Sequence, residues 1–241
     1  MNLFYKKSPE YFINKINRLE HFKYSTFNRK TMEYIIGKAV NKDGSNDIGI
    51  TNELRVIIKE YKYSDDYILS LNEVGLYNKK KLYCDVIDYF KEINSHLKFM
   101  DNDWLYAIKY NDPKLFISLI ELLNKRNVIF VGGSRFRYVE RDFPNMLHIE
   151  LPDKNYHLSI DMVIEHIKMI NNVFKDNIYL FNAGVITDII IDKFKDDGKN
   201  SYIDMGNLWD SFFVSEEFNF VNKKNKKEQE FILTNYKQYL I

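Results

Sequence analysis

The spacing of apolar residues along this chain alternates between the period of an amphipathic helix and the continuous runs of buried strands, and the changes fall at glycine, proline, Asp and Asn. The clearest run is Asn127-Val-Ile-Phe-Val-Gly-Gly-Ser134, a β-branched and aromatic segment that ends in two glycines. It reads as a buried strand opening into a loop that a phosphate can approach. Asn177-Ile-Tyr-Leu-Phe-Asn-Ala-Gly184 and Ser201-Tyr-Ile-Asp-Met-Gly206 break at glycine in the same way. The second half is predicted to run as strand 127–131, a short helix near 135–142, strand 146–151, helix 158–174, strand 177–182, helix 184–197, strand 201–205 and a short helix near 207–213.

In the first half, Phe12, Ile13, Ile16 and Leu19 mark a helix over 9–22, with Ser8 as a possible N-cap and Pro9 at the first helical position. A second helical pattern around 31–36 ends at Gly37, and residues 42–49 form a turn-rich loop. Thr51 could cap a helix over 52–61, and Tyr67-Ile-Leu-Ser-Leu71 suits a first strand. Leu82, Val86, Tyr89 and Ile93 form the stripe of a helix over 79–95, Leu97–Met100 suits another strand, and Asp101-Asn-Asp103 reads as an acidic turn. Asp112-Pro113 then opens a helix to about Lys125. Strands and helices alternating over short connections define an α/β chain with a mostly parallel sheet flanked by helices. The expectation is a single Rossmann-like domain, with N-terminal helices and loop over 1–62, the α/β core over 63–213, and a polar connector and C-terminal helix over 214–241. Such sheets bind ligands at the carboxyl ends of their strands.

Composition narrows the class of partner. With 45% hydrophobic residues in 241 there is enough apolar material for a substantial core. Thirty-five basic and 34 acidic residues leave a net charge of +1, so no global field draws nucleic acid or an anionic membrane. The one charge run, Lys223-Lys-Asn-Lys-Lys227, has no interleaved aromatics and reads as a solvated connector. The single Cys84 excludes an intramolecular disulfide, no apolar run is long enough to span a membrane, and Met1–Lys7 lacks the apolar core of a signal peptide. A cytoplasmic protein is expected, with homo-oligomerisation left open.

In order and spacing, the second half resembles the GT-D-type glycosyltransferase family. Val128-Ile-Phe-Val-Gly-Gly looks like that family's strand and glycine loop, Ile149-Glu-Leu-Pro-Asp-Lys-Asn155 like its next strand and proline turn, Leu180-Phe-Asn-Ala-Gly184 like its small-residue loop, and Ser201-Tyr-Ile-Asp-Met-Gly-Asn-Leu-Trp-Asp210 like its closing strand. Upstream, Glu33-Tyr-Ile-Ile-Gly-Lys38 and Asp43-Gly-Ser-Asn-Asp47 look like its Gly-Asp-Gly-Glu segment and the loop that follows. The resemblance implies a transferase that moves a sugar from a nucleotide diphosphate sugar, with uridine the expected nucleotide, to a glycan or other hydroxyl acceptor. It also implies a divalent metal, Mn²⁺ or Mg²⁺, held by an Asp-x-Glu pair. Here the corresponding positions read Thr31-Met32-Glu33, so one carboxylate is missing. A noncatalytic nucleotide- or glycan-binding relative is the alternative, and Thr31→Asp is the substitution expected to restore metal-dependent activity.

Glycosyl transfer needs a cradle for the diphosphate, positive charge to stabilise it as a leaving group, and a base for the acceptor hydroxyl. Gly132, Gly133 and Ser134 could present backbone N–H groups, with Arg135 or Arg137 adding a bidentate grip, although the glycines equally suit a tight turn. Asn182, Ala183 and Gly184, and then Asp204 and Gly206, are expected at the same sheet edge, where Asp204 could instead cap a helix. Glu33 and His157 are the catalytic candidates. Glu33, Asp47, Asp101 and Asp103 are the metal candidates, with Asp43 and Asn46 as further oxygen donors. Neither the Walker pattern nor Gly-x-Gly-x-x-Gly occurs, the other histidines have no metal spacing, and Cys84 has no catalytic partner in sequence.

Overall fold

Each strand of this chain is short, and each of the first seven is followed by a helix or helical turn that carries the chain back before the next strand begins. The pairings are therefore parallel throughout. A computed structural model describes residues 3–39, 47–71, 80–101, 104–137, 145–152 and 156–206, with Asn78, Glu140, Leu208 and Thr234, and for Arg135, Tyr156 and His157 the backbone alone. The strands are β1 (Phe4–Tyr5), β2 (Lys23–Thr26), β3 (Tyr67–Ser70), β4 (Phe99–Met100), β5 (Val128–Gly133), β6 (Met146–Leu151), β7 (Ile178–Asn182) and β8 (Ser201–Asp204). They form one sheet in the order β1-β4-β3-β2-β8-β7-β5-β6. The helices are α1 (Pro9–Arg18), α2 (Arg29–Ile35), α3 (Ile48–Glu60), α4 (Lys80–Ile93), α5 (Trp104–Asn111), α6 (Pro113–Leu123), α7 (Ile160–Val173) and α8 (Ile186–Lys193).

Alternation along the strands divides the core into two layers. Ile129, Val131, Tyr179, Phe181 and Tyr202 face α2, α3, α4, α7 and α8. Val128, Phe130, Ile178, Leu180 and Ile203 face α1, α5 and α6. Burial on both faces explains the continuous apolar runs of β5 and β7. The first layer is tied by a stack of aromatic rings, with Tyr179 and Phe194 4.9 and 5.0 Å from Tyr202. In the second, Phe12 stacks on Trp104 at 4.7 Å.

The expected α/β architecture is what the chain forms, with three additions. The segment predicted as N-terminal helices and loop also supplies β1 and β2, and β2 lies in the middle of the sheet between β3 and β8. Its sequence, Lys23-Tyr-Ser-Thr26, has no apolar run, yet its first three residues are buried. A further helix, α5, follows the acidic turn. Two caps differ as well. Asp47, not Thr51, caps α3 by accepting from the Ile50 N–H at 3.1 Å, while Ser8 makes no side-chain cap. Asp112 caps α6 as expected. Of the helices predicted near 207–213 and beyond 214 only Leu208 and Thr234 are described, and of the one near 135–142 the described part is a 3₁₀ turn, Ser134–Phe136, with Arg137 and Glu140.

Candidate functional site

The central strands bring their carboxyl ends together, and the polar chemistry there begins with β2. Alternation turns Ser25 and Asp204 to the same face of the sheet as α8, whose first turn carries Asp188. The Ser25 hydroxyl donates to Asp188 Oδ1 at 2.5 Å, and the Thr31 hydroxyl, in the first turn of α2, donates to Oδ2 at 2.9 Å. Asp204 sits one strand over. Its Oδ2 accepts from the Thr26 N–H at 3.1 Å and its Oδ1 from the Gly206 N–H at 2.8 Å. Asp188 is 1% exposed and Asp204 6%. Burial raises the pKa of Asp188 well above the carboxylate range, and the charge of Asp204 raises it further. Burial also lifts Asp204 from 3.8 to about 7, against the pull of its two backbone N–H bonds. Two carboxyls thus share a dry environment, held by hydroxyls and backbone amides. Among the described residues the buried hydroxyls of Thr26 and Thr187 at the same edge have no hydrogen-bond partner.

Outside this pair, on the solvent side of α2, lies a cavity of about 500 Å³ lined by Arg29, Glu33, Lys38, Lys80, Lys81, Leu82 and Asp85. The chain places it at the carboxyl side of the sheet, because α2 follows directly on the end of β2 and α4 opens after β3. Arg29 donates to Glu33 at 2.6 Å, and Lys38 is ion-paired with Asp85. Among the described lining residues four cations stand against two carboxylates, which leaves Lys80 and Lys81 in excess at the positive end of the α4 dipole.

Several residues singled out in the sequence line up along this edge. Gly132 is the register partner of Asn182, and Phe181 of Asp204. Gly184 and Gly206 have φ of +60° and +53°, the left-handed region that favours glycine. Gly132 has a packing role: a Cβ there would come within 2.7 Å of Phe136, whose ring folds back onto Phe130. Its carbonyl is 3.1 Å from His148 Nε2. Gly133 is extended, and Ser134 opens the 3₁₀ turn. Arg137 is engaged with Glu150 through two hydrogen bonds of 2.9 and 2.7 Å. The backbone of Arg135 lies in that turn and that of His157 in a second 3₁₀ turn, Tyr156–Ser159; both side chains lie outside the described residues.

The metal candidates among the described residues do not converge. Glu33 is bonded to Arg29, Asp47 caps α3, and Asp101 pairs with Lys6 at 3.7 Å at the end of β4, two strands from β2. Among the described residues no three His, Cys, Asp or Glu side chains gather as a metal site; Asp43, Asn46 and Asp103 lie outside them. Helix geometry adds a reason. Positions i and i+2 are roughly 200° apart around an α-helix, so Thr31 points into the core while Glu33 points into the cavity. An acidic residue at position 31 would meet Asp188 rather than share a metal with Glu33.

Sequence reasoning passed over Asp188, Ser25 and the cavity cations Arg29, Lys38, Lys80 and Lys81. It also passed over Lys109, which is 1% exposed and donates to the Leu208 carbonyl at 3.0 Å, holding the segment after β8. For Asp188 a signal existed: Ile186-Thr-Asp-Ile-Ile-Ile191 is apolar nearly all round, so the helix is buried and its acid with it.

Fold and edge together define a three-layer parallel α/β protein whose polar groups converge at the carboxyl ends of β2, β7 and β8. No family model matches the chain, and no curated protein matches it. Two solved structures are similar to it, each with 14% identity, a TM-score of 0.49, and coverage of 81% of this chain and 82% of the other. One is described as domain of unknown function 1792, with a distinct glycosyltransferase fold; the other is a selenomethionine-substituted structure of that domain.

Proposed function

We propose that the chain binds a nucleotide diphosphate sugar at the carboxyl edge of its sheet and transfers the sugar to a hydroxyl acceptor. The observation that carries this reading is the cavity beside Glu33, whose excess of cations suits a diphosphate. It adjoins the segment that resembles the glycosyltransferase motif. In the reaction the bond between the sugar carbon and the diphosphate oxygen breaks, and the acceptor oxygen takes that position and loses its proton. Arg29, Lys38, Lys80 and Lys81 would offset the charge on the departing diphosphate. Glu33, on the cavity wall, and His157, in the turn after β6, are the groups assigned to take the proton. The metal expected from the resemblance has no complete ligand set among the described residues, and no step here depends on one. That same incompleteness favours the second reading, a noncatalytic binder of the same ligand.

A thermal-shift panel of uridine and other nucleotide diphosphate sugars tests both readings. A donor at about 100 times its dissociation constant should stabilise the fold by roughly 2.7 kcal/mol. The double charge reversal Lys80→Glu with Lys81→Glu should abolish that shift and leave the unliganded Tm unchanged, since both residues are exposed. A shift that survives the reversal would remove the ligand from this cavity. Release of nucleoside diphosphate on adding an acceptor marks the transferase, and a shift without turnover marks the binder.

A further inference from the structure

Helix α7 buries Val163, Ile164 and Ile167 against the sheet, and its opposite side is apolar as well. Met162 and Met169 are 41% and 64% exposed, Val173 72%, and Leu158 and Phe174 flank them at 76% and 51%. Of the eleven large hydrophobic side chains exposed among the described residues, these five fall within 17 consecutive positions, so they form a patch rather than a scatter. Met162, His166, Met169 and Val173 repeat at intervals of four, three and four, the spacing of a two-helix seam. Charge along the helix is polarised: Asp161 and Glu165 lie in its first half, and Lys168 and Lys175 lie in its second half and just beyond.

We propose that this face pairs with the same face of a second copy, the two α7 helices running antiparallel about a twofold axis. An antiparallel arrangement puts Met162 opposite Val173 and His166 opposite Met169, brings Asp161 of each copy to Lys175 of the other, and opposes the helix dipoles. A parallel arrangement would set like charges side by side. The acidic first half also makes an anionic bilayer a poor occupant. This inference stands apart from the proposed activity.

Sedimentation equilibrium of the full chain over a range of concentrations tests it. The expected result is a reversible dimer of the 29.0 kDa chain that Met169→Glu converts to monomer without changing the circular dichroism spectrum. Asp161→Lys should weaken the dimer, and Asp161→Lys combined with Lys175→Asp should restore it, a rescue that a merely misfolded variant would not give. A wild-type mass of one chain at every concentration overturns the proposal, as does a dimer indifferent to Met169→Glu. Binding to phosphatidylcholine vesicles by a chain that stays monomeric would also overturn it and assign the patch to a membrane.

Discussion

The two ends of the sheet each carry a cavity of about 500 Å³, and they treat charge in opposite ways. At the amino end the cavity is lined by Lys59, Lys62 and Lys195 against Glu60, Asp192 and Asp196, so its charges balance. Beside it Asp197 accepts from the Tyr202 hydroxyl at 2.5 Å, from Asn200 at 2.9 Å and from the Lys199 N–H at 2.8 Å. Burial alone would raise its pKa, but these bonds and the charge of Lys23 hold it below the usual carboxylate value. At the carboxyl end the described lining of the cavity carries net positive charge, and the two buried carboxyls at that edge of the sheet have raised pKa values. Among the described residues charge is thus balanced at one end of the sheet and in excess at the other, while burial raises Asp192 at the amino end as it raises Asp188 and Asp204 at the carboxyl end. Unbalanced charge is costly to keep, and ligand sites are where proteins tend to keep it.

Substitutions at the two ends should therefore fail differently. The largest effect is expected from Thr31→Asp, which adds a third buried carboxyl to Asp188 and Asp204. Removing a hydroxyl donor and burying an unpaired acid should cost about 3–5 kcal/mol, read as a lower urea midpoint, with no gain of metal-dependent activity. A stable variant with new Mn²⁺-dependent turnover would instead support the metal role inferred for this position from the family resemblance.

Next comes Asp197→Ala at the amino end. It leaves the buried Tyr202 hydroxyl and Asn200 amide without this acceptor and should cost about 2–3 kcal/mol while donor affinity is unchanged. A loss of affinity larger than the loss of stability would blur the division between the two ends.

A further effect is one of pH. In the folded chain Asp204 keeps its proton up to about pH 7, whereas the unfolded chain loses it near 3.8. Between those values the folded state binds more protons, so raising the pH favours unfolding, and stability should decline from about pH 4 to pH 7. Asp188, raised still further, extends the decline upward. Asp188→Asn should flatten the profile, because a neutral amide can still bond the Ser25 and Thr31 hydroxyls. Urea midpoints across this range would show it, and a profile that rises with pH would mean that both carboxyls are ionised and paired.

The legibility of the sequence follows the same division. Apolar runs ending in glycine located β5, β7 and β8, and with them Asn182, Gly184, Asp204 and Gly206, because a strand buried on both faces writes itself as a continuous run. Strand β2 escaped because its interior position is filled by Ser25, bonded to Asp188, and by Lys23, whose stem is buried while its ammonium reaches the Asp197 carbonyl. Asp47 reads as a candidate ligand and caps α3, because capping and coordination select the same residue type. The cavity cations were invisible for another reason. Arg29, Lys80 and Lys81 are ordinary helix-surface residues and Lys38 follows the turn after α2, and they meet only because β2 and β3 are neighbours whose connections leave the same edge.

The most direct measurement is hydrogen–deuterium exchange with and without UDP-glucose, compared at the two ends. The account predicts slower exchange in the peptides covering 29–38 and 80–85, and no change in those covering 59–67 and 192–196. Protection confined to the amino-end cavity, or absent from both, would contradict it.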